Sequence, residues 1–161
     1  MTDERLLAEL KTEVEGLSAE KTAVLCVGNP MRGDDGFGPA VFAALSGRIG
    51  SALFDGAEAP ENLLGALARL EPRLVVVVDA VVFGGAPGEL ALLEPGGMRT
   101  DGFDTHTASL SIISEFMREA CGASLRVLAV QPACTELGTP LAPEVDEAVG
   151  RAADILAAAL P

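Results

Sequence analysis

The stretch Val24-Leu25-Cys26-Val27-Gly28-Asn29-Pro30-Met31-Arg32-Gly33-Asp34-Asp35-Gly36-Phe37-Gly38-Pro39 decides how the rest of the chain is read. It begins as an apolar run and ends that run in a Gly-Asn-Pro turn. Two adjacent carboxylates follow, then a glycine-punctuated start to a helix. Strand, loop and helix N-terminus in this order belong to an open α/β sheet, whose ligands bind in the crevice beyond the strands' carboxyl ends. A nucleotide site would place a phosphate on the helix N-terminus, held by backbone N–H groups. Here Asp34 and Asp35 fill the loop, where they gain from the positive end of the helix dipole and repel a phosphate. The loop is built for a cation.

Outward from this stretch, strands alternate with helices. Residues 2–20 carry Leu6, Leu7, Leu10, Val14 and Leu17 at helical spacing among charged side chains, an amphipathic helix whose apolar stripe packs on the core in the favoured reading and on a partner in the alternative. Residues 22–27 form the first strand, 36–45 a helix that tolerates Pro39 in its first turn, and 51–54 a short second strand. A helix over 59–70 is stopped by Glu71-Pro72. The run Leu74-Val75-Val76-Val77-Val78, ending at Asp79-Ala80, marks a central parallel strand covered on both faces. Residues 89–93 read as an edge strand. The segment 94–107 lacks a regular pattern, and holds the one histidine, His106; such irregular stretches are often functional. A helix over 108–121, a strand over 124–130 and an Ala-rich helix over 143–160 close the chain. The fold class is α/β, with a mostly parallel, five-stranded, doubly wound sheet and right-handed crossovers. Residues 1–21 are an N-terminal helical extension, and 22–161 the domain proper.

At 161 residues the chain suits one domain with a proper core, and 49% of it is hydrophobic. A net charge of −13 weighs against nonspecific binding to nucleic acid or to an anionic membrane. Cys26, Cys121 and Cys134 fall at no metal-ligand spacing, and their odd number argues against a disulfide framework. Reduced thiols fit a cytoplasmic setting. No signal-peptide pattern opens the chain, and no apolar run approaches the roughly 18–20 residues that cross a bilayer.

Asp35 lies just past the first strand, Asp79 at the end of the central one, and His106 in the loop before a helix. Carboxyl ends of parallel strands share one edge of the sheet, so the two aspartates can converge there, with the His106 loop folded over them. Two carboxylates and an imidazole suit a divalent transition metal, and the imidazole must be neutral to ligate. Simpler roles compete: Asp34 or Asp35 also suits a helix N-cap, and a lone histidine a structural hydrogen bond. A thiol hydrolase using Cys134 and His106 has no supporting sequence context. Ser109 and Ser111 lack a nucleophile elbow. Asp55 sits about 20 residues past the loop, where a dinucleotide's ribose-binding acid belongs. The glycines Gly33, Gly36 and Gly38, however, stand in the wrong order.

Gly28-Asn29 and Gly33-Asp34-Asp35-Gly36 with Gly38-Pro39 resemble the opening motif of the endopeptidases that mature nickel-iron hydrogenases. The likeness continues through Asp55-Gly56, Ala59-Pro60-Glu61-Asn62, Val78-Asp79-Ala80, Pro87-Gly88-Glu89, Thr105-His106 and Gln131-Pro132, in the family's order and spacing. The nearest branch is that serving formate-linked or deazaflavin-reducing hydrogenases. The resemblance implies a three-layer α/β/α sandwich and an aspartyl-type endopeptidase that removes the C-terminal extension of a hydrogenase large-subunit precursor after nickel insertion. Asp35 and Asp79 match the family's acidic ligands and His106 its histidine, at once metal-binding and catalytic. In that picture the enzyme need not hold metal when alone. Nickel arrives on the precursor's thiolates, and would polarise the scissile carbonyl or activate a water. A noncatalytic nickel-binding or chaperone-like module would use the same three residues. Two departures stand out: residues 1–21 match nothing in the family pattern, and Val81 and Val82 replace a further acid that many relatives carry after Asp79-Ala80.

Overall fold

A computed structural model describes residues 1–97 and 105–161, with the side chains of residues 105–108 outside that description. The strands are β1 (Thr22–Val27), β2 (Ala52–Ala57), β3 (Leu74–Ala80), β4 (Leu90–Leu93) and β5 (Ser124–Val130). They form one sheet in the order β2-β1-β3-β5-β4. β1 pairs in parallel with β2 and β3, and β3 with β5, while β4 lies antiparallel to β5 at the edge. The helices are α1 (Asp3–Glu13), α2 (Phe37–Leu45), α3 (Leu64–Arg69), α4 (Thr105–Cys121) and α5 (Pro143–Ala159).

All of β3 is buried, as a continuous apolar strand in a two-sided sheet requires. The two-residue period of the strand sorts its side chains. Leu74, Val76 and Val78 join the cluster shared with α1, α2 and α5. Val75 and Val77 join the one shared with α3 and α4. The result is a three-layer α/β/α sandwich.

Several boundaries differ from the sequence expectation, each for a local reason. α1 stops at Glu13 and does not run to residue 20, because the chain turns through Gly16 at φ +77°. Leu6, Leu10 and Val14 are buried in the core cluster, and α1 packs on α5 and β4. The helix expected over 59–70 starts as a tighter 3₁₀ turn, Pro60–Leu63, before α3. β3 extends past residue 78, so Asp79 lies within the strand. α4 begins at Thr105 and not at 108, which places His106 in its first turn. Of the irregular stretch expected over 94–107, residues 98–104 lie outside those described.

Candidate active site

The acidic loop is set by close backbone packing. Gly28 follows β1 at φ +143°, and a Cβ there would stand 1.9 Å from the carbonyl oxygen of Asp35. At Gly38 a Cβ would stand 2.0 Å from the carbonyl oxygen of Val27. Glycine alone permits either approach. The 3₁₀ turn Gly33–Gly36 and α2 are thus pressed against the end of β1, and the same turn also packs on β3.

The two adjacent aspartates do different things. Asp34 is fully buried. Its Oδ2 accepts the amides of Ala133 (2.7 Å) and Cys134 (2.9 Å), and its Oδ1 accepts that of Ala142 (2.7 Å). It fastens the loop after β1 to the loop between β5 and α5. It is no helix cap, since the N-cap of α2 is Gly36, with no side-chain bond. Asp35 is buried to 7% exposure, and its Oδ2 accepts the Asn29 amide at 3.0 Å. That bond holds its carboxylate over the end of β1.

Asp79, fully buried near the end of β3, accepts the Ala80 amide through Oδ1 at 2.8 Å. It also lines a cavity of about 180 Å³ with Val27, Glu58, Pro60, Glu61, Ser109, Leu110 and Ile113. Asp35 and Asp79 therefore come from the carboxyl ends of two neighbouring parallel strands. α4 carries His106 in its first turn and reaches Asp79's cavity through Ser109, Leu110 and Ile113. The His106 side chain lies outside the described residues. Among the described residues no group of three His, Cys, Asp or Glu side chains is placed to hold a metal ion.

The rival readings find other uses for their residues. Asp55 is exposed and its Oδ1 accepts the Ala57 amide at 3.0 Å, a local turn at the point where the β1–β2 register shifts. Burial, with the Asp55 carboxylate nearby, pushes the Cys26 thiol up to about 12, so it stays protonated and unreactive. Cys134 gives its amide to Asp34.

Gln131 acquires a role that the sequence did not assign. Its Oε1 accepts three successive amides, Phe83 (2.9 Å), Gly84 (3.1 Å) and Gly85 (3.2 Å). It thereby fixes the loop that leaves β3 just beyond Asp79. A glutamine at a strand end carries no local mark of partners some 46 to 48 residues away.

The family model described as hydrogenase maturation protease matches residues 44–159. The hydrogenase 3 maturation protease of Escherichia coli K12 is 33% identical over 129 residues, covering 78% of this chain and 82% of that protein. The chain belongs to the hydrogenase maturation protease family. It is accordingly a peptidase. Among solved structures, the [NiFe] hydrogenase maturation protease HycI of Thermococcus kodakarensis superposes with a TM-score of 0.83 at 29% identity, over 92% of this chain and 96% of that one. The hydrogenase maturating endopeptidase HybD of Escherichia coli gives 0.72 at 26% identity, over 83% and 88%. Asp79 and His106 fall inside the stretch matched by the family model; the Asp35 loop of this maturation protease precedes it.

Proposed function

We propose that this hydrogenase maturation protease removes the C-terminal extension of a nickel-iron hydrogenase large-subunit precursor in the cytoplasm. Cleavage follows nickel insertion, and the bound nickel is recognised by Asp35, Asp79 and His106. The observation that carries this reading is the pair of carboxylates at the ends of adjacent parallel strands. One is held by the Asn29 amide and the other is buried beside a cavity that α4 also lines. In the proposed complex the nickel is part of the substrate. Asp35 and Asp79 supply hard oxygen donors and neutral His106 a nitrogen donor, while precursor thiolates provide the rest. A nickel ion so held polarises a neighbouring peptide carbonyl or lowers the pKa of a water. The Asn29 and Ala80 amides keep the two carboxylates from turning away when the precursor departs.

The test is a processing assay with a large-subunit precursor, nickel-loaded or nickel-free, followed by the shortening of the precursor on a gel. Wild type should cut many loaded precursors per enzyme molecule and leave nickel-free precursor intact. Asp35→Asn and Asp79→Asn should not cut. Equal cleavage of nickel-free precursor would remove nickel from the recognition step. Stoichiometric binding without cleavage of a true partner would turn the reading toward a chaperone.

A further inference from the structure

Gln131 stands one residue past β5, and both ends of the connection between β3 and β4 are tied to this corner. Val81, the first residue after β3, gives its amide to the carbonyl of Val130 at 3.0 Å. The amides of Phe83, Gly84 and Gly85 then converge on the Gln131 side-chain oxygen. At the far end, the Gln131 carbonyl accepts the Gly88 amide and the Gln131 amide donates to the Glu89 carbonyl, both at 2.9 Å. Successive N–H groups turned on one point form a nest that takes an acceptor. The carboxamide therefore has one orientation, oxygen toward the loop. What the loop holds in turn bears on α4. Val81 belongs to the apolar cluster that Leu110, Ile113 and Met117 of α4 enter, and Phe83 packs against that cluster. Leu110 and Ile113 also line the cavity with Asp79, and His106 precedes Leu110 by about one helical turn.

We propose that Gln131 is a positioning residue for the processing reaction. Through the 83–85 loop it sets the first turns of α4, and with them His106, against Asp79 near the end of β3. Apolar packing is non-directional, so cluster contacts alone leave the placement of α4 soft. Three amides on one oxygen fix the Phe83 backbone in both direction and distance. A misplacement of about 1 Å at a reacting group costs about a hundredfold in rate, so order at Phe83 bears on the chemical step more than on docking. The inference rests on the proteolytic reading for the duties of His106 and Asp79; the placement of α4 does not depend on it.

Two measurements test it, and the first needs no precursor. Backbone amide resonances are compared among isotope-labelled wild type, Gln131→Met and Gln131→Glu, and the same spectra verify that each is folded. Gln131→Met should move the amides of residues 83–85 and also those of His106 through Leu110. Gln131→Glu keeps an acceptor oxygen and should return both sets toward their wild-type positions. Shifts confined to residues 83–85 would overturn the proposal, because the order of the loop would then not reach α4. Gln131→Asn holds its carboxamide one methylene short of the three amides, and gives the same comparison should Gln131→Met not fold. The second measurement is processing of nickel-loaded precursor. In Gln131→Met kcat should fall by about tenfold to a hundredfold while KM changes by less than about threefold, and Gln131→Glu should recover most of the rate. Leu10→Ala, a destabilising change in the other apolar cluster, is the control. Assayed where both variants are folded, it should keep the wild-type kcat. Equal kcat in Gln131→Met and Leu10→Ala would overturn the proposal and leave Gln131 a structural residue. Should wild type cut no precursor at all, the proteolytic reading fails, and the placement of α4 is decided by the resonances alone.

Discussion

Asp34 and Asp35 share a residue type, a turn and burial, yet their hydrogen bonds assign them opposite duties. Asp34 spends its carboxylate on three amides of another loop. Replacing it by Ala leaves three part-buried donors without that acceptor, and each such loss costs at most about 1–3 kcal/mol before relaxation. Asp34→Ala should therefore lower unfolding stability by about 2–4 kcal/mol in urea titration. Asp35→Asn keeps an oxygen for the Asn29 amide. It should change stability by less than about 1 kcal/mol while abolishing processing. If instead Asp34 is the residue whose loss spares stability and stops cleavage, the two roles are reversed. The sequence marked the pair as one acidic loop, but not the division of labour, because the amides that claim Asp34 lie 99 to 108 positions downstream. Cys26 makes a separate prediction. Its thiol, raised to about 12, carries negligible thiolate at pH 8, and it is fully buried. Alkylation of native protein followed by peptide mass mapping should leave Cys26 unmodified, and unfolding in urea should expose it.

The strands were the legible elements. β1 and β5 coincide with the expected 22–27 and 124–130, and the β3 run announced a central position because five consecutive apolar residues need cover on both faces. Helix starts were less legible. The 3₁₀ turns at Gly33–Gly36 and Pro60–Leu63 satisfy amides before regular helix begins, and periodicity does not distinguish such turns from a first helical turn. Gln131 shows what lies beyond local pattern altogether, since one side-chain oxygen orders the first residues of the β3–β4 connection. Gln131→Met keeps the volume and removes the acceptor, so three amides lose their partner. The expected result is a loss of about 1–3 kcal/mol, with faster hydrogen exchange at Phe83, Gly84 and Gly85. Gln131→Glu retains an oxygen and should restore protection at those amides. Unaltered exchange in Gln131→Met would mean that the loop is ordered by something else.

Across the whole molecule, charge and burial contribute to different things. A net charge of −13 is spread over the chain and speaks to the company the molecule keeps in solution. Among the described residues no helix is long and apolar enough to cross a membrane. Cohesion comes from the two apolar clusters, and α1 tests that statement because both kinds of contact hold it. Asp3 meets Arg151 of α5 at 2.9 Å, Glu13 meets Arg126 of β5, and the N-terminal ammonium lies 3.4 Å from Glu89. Against these stand Leu6 and Leu10, each buried to 1% exposure in the cluster shared with α2 and α5. Exposed ion pairs are worth about 0–1 kcal/mol, whereas truncating a buried leucine costs about 2–5 kcal/mol through lost transfer energy and the cavity left behind. Leu10→Ala should thus lower unfolding stability by about 2–4 kcal/mol, and Asp3→Asn, which weakens the half-exposed pair with Arg151 and leaves that arginine's bond to the Gly88 carbonyl in place, by less than about 1 kcal/mol. Urea titration at low and high salt separates the two, since screening weakens only the ionic contribution. A larger loss from Asp3→Asn than from Leu10→Ala would mean that charge and not burial fastens α1 to the sandwich. The expected order means that Leu6 and Leu10 make α1 part of the core of the sandwich.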